Sequence, residues 1–111
     1  MDVDHIVSRK AYEIFLTENY PDLSPEEIKG LLEAAPSIVI PAEVHRKFSE
    51  TYGGRNNAAK QRKDASDLRA AVDSNMDALK PGLLEHGYSD AEIENARRQL
   101  HTHHQQKGLY K

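Results

Sequence analysis

The chain has 111 residues, enough for one domain and too few for two with substantial cores of their own. It contains no cysteine, which excludes a disulfide frame, a thiol nucleophile and a cysteine-based zinc site. Apolar residues make up 38% and charged residues 30%, net charge is -3 and mean hydropathy is -0.76; no apolar run is long enough to span a membrane, and the start MDVDHIVSRK lacks an apolar signal core.

Val3-Asp4-His5-Ile6-Val7 reads as a short strand or extended segment. Ser8 can cap a helix from Arg9 to Asn19, where Ala11, Ile14, Phe15 and Glu18 fall at helical spacing. Tyr20-Pro21-Asp22 stops it. Ser24-Pro25-Glu26-Glu27 combines a capping serine, a first-turn proline and a glutamate three after the cap, so a second helix is predicted, ending near Ala35-Pro36. Ser37 to Ile40 is β-prone, and Pro41 then opens a helix running to Thr51 with Val44 and Phe48 inward. Gly53-Gly54 ends it, and Arg55-Asn56-Asn57 forms a polar loop. A long helix is predicted from Ala58 to Leu79, with Leu68, Ala71, Val72, Met76 and Leu79 inward. Pro81-Gly82 is expected to break or bend it, leaving a short element over Leu83 to Gly87. Ser89 and Glu92 form a second capping box, and the last helix runs to Lys107 with Gly108 as its C-cap.

Charge is unevenly spread. Arg46 to Lys63 holds six basic side chains (Arg46, Lys47, Arg55, Lys60, Arg62 and Lys63) against Glu50, while Asp64 to Ala96 holds eight acidic against two basic. This pattern suits a basic binding face beside an acidic one, or two solvated helix surfaces. The acidic total argues against a general nucleic-acid binder.

Several residues could carry chemistry. Asp4 is suited to a hard cation and the adjacent His5 to taking a proton from water. In a strand they would face opposite ways, so a bend is needed for both to serve one centre. His45, one turn into its helix, is either a rigidly held metal ligand or a boundary residue. Arg55 can clamp a phosphate, and Asn56 or Asn57 can ligate a cation or orient an imidazole. His101 and His104 share a helix face and could contact phosphate or a metal.

The order Asp-His-Ile-Val, a helical insertion, Ile40-Pro41-Ala42-Glu43-Val44-His45 and Thr51-Tyr52-Gly53-Gly54-Arg55-Asn56 resembles nuclease domains of the His-Me finger superfamily, of HNH and endonuclease VII type. It looks most like the small toxin domains at the C-termini of bacterial polymorphic toxins and secretion-system effectors. The resemblance covers residues 2 to 57. It implies a mainly α fold with a small ββα-metal element, a nuclease core over 2–57 and a helical extension over 58–111, the whole being one domain and the C-terminal module of a larger protein. It assigns His5 as general base, with Arg55 and Asn57 assisting catalysis. Asp4, His45 and Asn56 become metal ligands, with His104 added on its local chemistry. Lys47, Arg55, Lys60, Arg62, Lys63 and His101 are the expected nucleic-acid contacts. The implied cofactor is a divalent metal, Mg²⁺ before Zn²⁺ or Mn²⁺. The implied partners are a DNA substrate and a cognate immunity protein, with delivery by a bacterial secretion system into the target-cell cytoplasm. Two other classes fit the residues: a small helical immunity or adaptor module, and a metal-independent RNase toxin using His5 with His45 or His101 as acid and base.

Overall fold

The computed structural model describes residues 1–110. Strand β1 (Asp2–Asp4) is followed by α1 (Arg9–Asn19), α2 (Pro25–Glu33), β2 (Ile38–Ile40), α3 (Ala42–Phe48), a 3-10 turn (Gly53–Arg55), α4 (Ala58–Ser66), α5 (Leu68–Glu85) and α6 (Asp90–Gln106). The described residues are thus mainly helical, with one small sheet. The strands pair antiparallel, with Asp2 opposite Ile40, Val3 opposite Val39 and Asp4 opposite Ile38.

The helix starts follow their local chemistry. Ser8, Ser24 and Ser89 each accept a hydrogen bond from a first-turn backbone N–H, and Glu27 and Glu92 complete reciprocal capping boxes. Gly108 adopts φ +72° after α6, a left-handed cap that favours glycine.

Four boundaries differ from the sequence expectation. The extended segment stops at Asp4, because Ile6 turns the chain with φ +64°. α3 ends at Phe48 rather than Thr51, with Ser49 extended. The helix expected over 58–79 is two helices: Asp67 is extended, and its carboxylate accepts the Ala70 N–H at 3.0 Å, capping α5. Pro81-Gly82 does not end α5. Pro81 faces solvent, while buried Leu79 and Leu83 hold the helix to the core on either side.

The core runs through every helix. Tyr12, Phe15 and Leu16 of α1, Ala65 of α4, Leu68, Val72, Met76 and Leu79 of α5, Val44 of α3, Ile40 of β2 and Ile93 and Leu100 of α6 belong to one buried cluster, in which α1 packs chiefly on α4. α5 packs on α3 with one face and on α6 with another. Gly82 allows the α3 approach. A Cβ there would lie 2.6 Å from Cδ2 of Phe48 and 3.1 Å from Cγ1 of Val44. Gly82→Ala should therefore destabilise the protein: overpacking costs about 1–3 kcal/mol, against about 1 kcal/mol gained from helix propensity. A urea-unfolding midpoint raised by the substitution would contradict this crossing.

Candidate functional site

The site is built where β1 ends against the start of α3. The Asp4 side chain is fully buried. Its Oδ1 accepts the Ile6 N–H at 2.7 Å and the Asn75 side-chain N–H at 3.2 Å. Its Oδ2 lies 2.9 Å from Nδ1 of His45. A carboxylate can only accept, so in this contact Nδ1 carries the proton and donates. His45 is half-buried, and its ring meets that of Tyr52 edge-on at 5.1 Å.

His5 follows Asp4 and is exposed. The chain bends at a γ-turn centred on Ile6, closed by the Val7 N–H donating to the His5 carbonyl at 2.6 Å. A positive φ is a true outlier for a β-branched residue and costs on the order of 1–3 kcal/mol. Both backbone polar groups of Ile6 are held by side chains: Asp4 takes the N–H, and Asn75 donates to the carbonyl at 3.1 Å. Asn75, on α5, escaped the sequence reading. Its only local signal is an amide inside the apolar stripe of an otherwise core-facing helix.

The loop after α3 packs beside His45. Arg55 lies over the Tyr52 ring and donates to the carbonyls of Ser49 at 2.7 Å and Arg46 at 2.6 Å. Its guanidinium thus ties the end of α3 to the loop with two of its five N–H donors. Asn57 caps α4 through Lys60 N–H, so its side-chain oxygen is not an imidazole partner. Asn56 Oδ1 is buried and has no hydrogen-bond partner among the described residues.

The other expected contacts are scattered. Lys47 pairs with Glu43 at the surface. Lys60 bridges Glu50 at 3.1 Å and buried Asp64 at 2.9 Å. Burial pushes the Asp64 carboxyl up, and Lys60 draws it back down. Arg62 and Lys63 are exposed and have no side-chain partner among the described residues. His101 is not free for phosphate: its Nε2 donates to Asp73 at 2.8 Å and its Nδ1 accepts from Tyr110 at 2.5 Å.

His104 is a correction. It is fully buried in the core, its Nδ1 donates to the Leu100 carbonyl at 2.6 Å, and its Nε2 accepts from the Tyr12 hydroxyl at 2.5 Å. With both ring nitrogens engaged it is unavailable to a metal. Burial holds it neutral, with its pKa pushed down to about 4.

The donor set bears on a cation. No group of three or more His, Asp or Glu side chains among the described residues is arranged to hold a metal. Two donors do face one another: Asp4 Oδ2 and His45 Nδ1, 2.9 Å apart. Adjacent ligands about 2.1 Å from one octahedral ion lie about 3.0 Å apart. The pair therefore has the spacing of two neighbouring ligands, once the proton between them is lost.

Over 89 residues, 80% of the chain, the sequence is 38% identical to a protein named Deoxyribonuclease CdiA from Dickeya dadantii (strain 3937). The chain spans 3% of that protein's length. No family model matches the chain, and no solved structure matches it.

The His104 environment fixes a pH dependence. Its folded pKa lies below the ordinary value of 6.5, so the unfolded chain binds the extra proton first. The stability this confers is full above about pH 6.5 and disappears as pH falls toward about 4, amounting to about 3 kcal/mol at most. Urea unfolding of wild type and His104→Gln at about pH 7.5 and about pH 4.5 should give a stability gap that narrows on acidification. A gap independent of pH would contradict a neutral buried imidazole.

Proposed function

We propose that this chain is a nuclease module that hydrolyses phosphodiester bonds in DNA, with its reacting centre at Asp4, His5 and His45. The observation that carries this reading is the buried Asp4 carboxylate joined to His45, with the next residue in the chain, His5, exposed to solvent. The identity shared with a protein named as a deoxyribonuclease supports it. So does the order of elements, in which β1 pairs with β2 and α3 follows β2 directly. A strand pair followed by a helix is what the His-Me finger resemblance calls for, and this order lends that resemblance support.

In this reading His5 accepts the proton of the attacking water as the new oxygen–phosphorus bond forms. The bond from phosphorus to the leaving oxygen then breaks, and that oxygen takes a proton from solvent. Asp4 and His45 are the residues that would hold a divalent cation. When bound, it neutralises charge developing on the phosphoryl and leaving oxygens. Two protein donors, completed by water and substrate phosphate, is the manner in which Mg²⁺ is usually held. Ligand number favours Mg²⁺, since catalytic zinc ordinarily takes three protein ligands, whereas the imidazole of His45 suits Mn²⁺ or Zn²⁺. Asn56, with an unpartnered oxygen, is the side chain with a further donor to offer. Arg46, Arg62 and Lys63 are exposed cations suited to phosphate, and no base-reading motif is present. As a toxin module of a larger secreted bacterial protein, the chain would act in the target-cell cytoplasm, and its producer would need an immunity protein.

A second reading rests on the same contact. With Asp4 fixing the Nδ1–H tautomer, Nε2 of His45 has no partner among the described residues and can itself serve as a base without metal.

Plasmid DNA, incubated with the folded protein and Mg²⁺, should be cut. EDTA should abolish the cutting, and His5→Ala should slow it by about 10²–10⁴-fold. Cutting that survives EDTA and needs His45 but not His5 would favour the metal-free reading. No cleavage of DNA by a folded sample would overturn both and leave a binding module.

A further inference from the structure

We infer that Asn75 is the positioning residue of this site, acting through Asp4 and Ile6 rather than on substrate. The inference rests on the nuclease reading for its catalytic consequence, but its geometric claim stands separately.

Asn75 is fully buried on α5, among Val72, Met76 and Leu79. An amide at such a position is costly unless all its bonds are made. Both donors and the acceptor of Asn75 are used, and each partner belongs to a segment carrying part of the site. One N–H goes to Asp4 Oδ1 at 3.2 Å. The other goes to the Ile6 carbonyl at 3.1 Å. The side-chain oxygen accepts the Glu50 backbone N–H at 2.8 Å, just beyond α3. One side chain therefore fixes the end of β1, the left-handed turn after it and the loop leaving the helix that bears His45.

The consequence for the carboxylate is directional. With Oδ1 held by Asn75 and the Ile6 N–H, Asp4 has one rotational setting, which aims Oδ2 at His45 Nδ1. With the Ile6 carbonyl held as well, the strained turn stays closed and His5 stays displayed outward. Without Asn75, the carboxylate is free to turn and the turn has lost one of its two side-chain restraints. No cation contact is asked of Asn75 itself. Its role is that of the outer partner that orients a ligand, a role whose removal usually costs 10–100-fold in metal affinity or activity.

The test compares Asn75→Ser with Leu79→Ala, a core cavity one turn further along the same helix, where the side chain makes no hydrogen bond to Asp4 or Ile6. Both are assayed at a temperature where circular dichroism shows them folded. We expect Asn75→Ser to lower the maximal rate of plasmid cleavage about 10–100-fold and to raise the Mg²⁺ concentration giving half-maximal rate about 10-fold, with DNA affinity little changed. Leu79→Ala should keep the wild-type rate and Mg²⁺ dependence while folded. The second readout needs no activity: ¹⁵N NMR of the His45 ring should show the Nδ1–H tautomer preference of wild type retained in Leu79→Ala and lost in Asn75→Ser. An unchanged His45 ring in Asn75→Ser overturns the inference, as do equal losses of rate in the two variants. If wild type cleaves no DNA, the nuclease reading fails and the ring spectrum alone decides whether Asn75 sets the Asp4–His45 contact.

Discussion

A carboxylate enclosed in a small helical protein is the constraint on which the rest depends. Burying a charge is unfavourable unless it is paired and hydrogen-bonded. Asp4 meets that requirement with three donors: the Ile6 N–H, the Asn75 amide and His45 Nδ1. They come from the turn after β1, from α5 and from α3. Satisfying one charge thus brings three distant segments together, and it does so at the place where β1 hands the chain to His5. The strain of Ile6 is tolerated for the same reason, since the groups that hold Asp4 also hold Ile6.

The histidines show how burial, not residue type, sorts chemistry from structure. His5 is open to solvent, and His45 is half-covered and oriented by a carboxylate. His101 bridges Tyr110 and Asp73. Burial would raise Asp73, but His101 and Arg97 hold it below the usual carboxylate range. His104 is enclosed and neutral, stacked on Tyr110 and bonded to Tyr12. The last two fasten α6 and the tail to α1 and α5. That network is remote from Asp4 in sequence, yet it braces the helix that delivers Asn75. Stability and site meet on α5, which packs on α3 as well as on α6.

What could be read in the sequence follows the range of the interactions involved. Caps at Ser8, Ser24 and Ser89 were legible because the donor and acceptor lie within three residues of each other. The mainly helical class was legible for the same reason. The break at Asp67 rests on an equally local cap, but the apolar spacing across it suggested one continuous helix. Pro81 misled because its effect depends on which face it occupies. Asp4, His5 and His45 were named together, and the structure does bring Asp4 to His45. It does not bring His104 or Asn57. Arg55 was read by its charge, whereas its hydrogen bonds close a loop. Asn75 was invisible: its partners lie 71, 69 and 25 residues away, and nothing near it marks an amide as a clamp.

Charge shows the same limit and sharpens the DNA reading. The basic stretch over 46–63 overstates the positive field on offer. Lys60 is neutralised by Glu50 and Asp64, Lys47 by Glu43, and two Arg55 donors point at backbone carbonyls. What remains exposed and unpaired in this stretch is Arg46, Arg62 and Lys63. Each phosphate neutralised steepens the fall of binding with salt, so DNA docked on this stretch alone would be held weakly and with a shallow salt dependence. In the nuclease reading, a loosely held DNA cannot be aligned by binding energy alone. Alignment must come from groups already fixed before the substrate arrives. In the nuclease reading, a carboxylate locked by a buried amide and a left-handed turn is that kind of preorganisation, and it would account for an uncommon buried charge and a strained isoleucine in one corner of so small a domain.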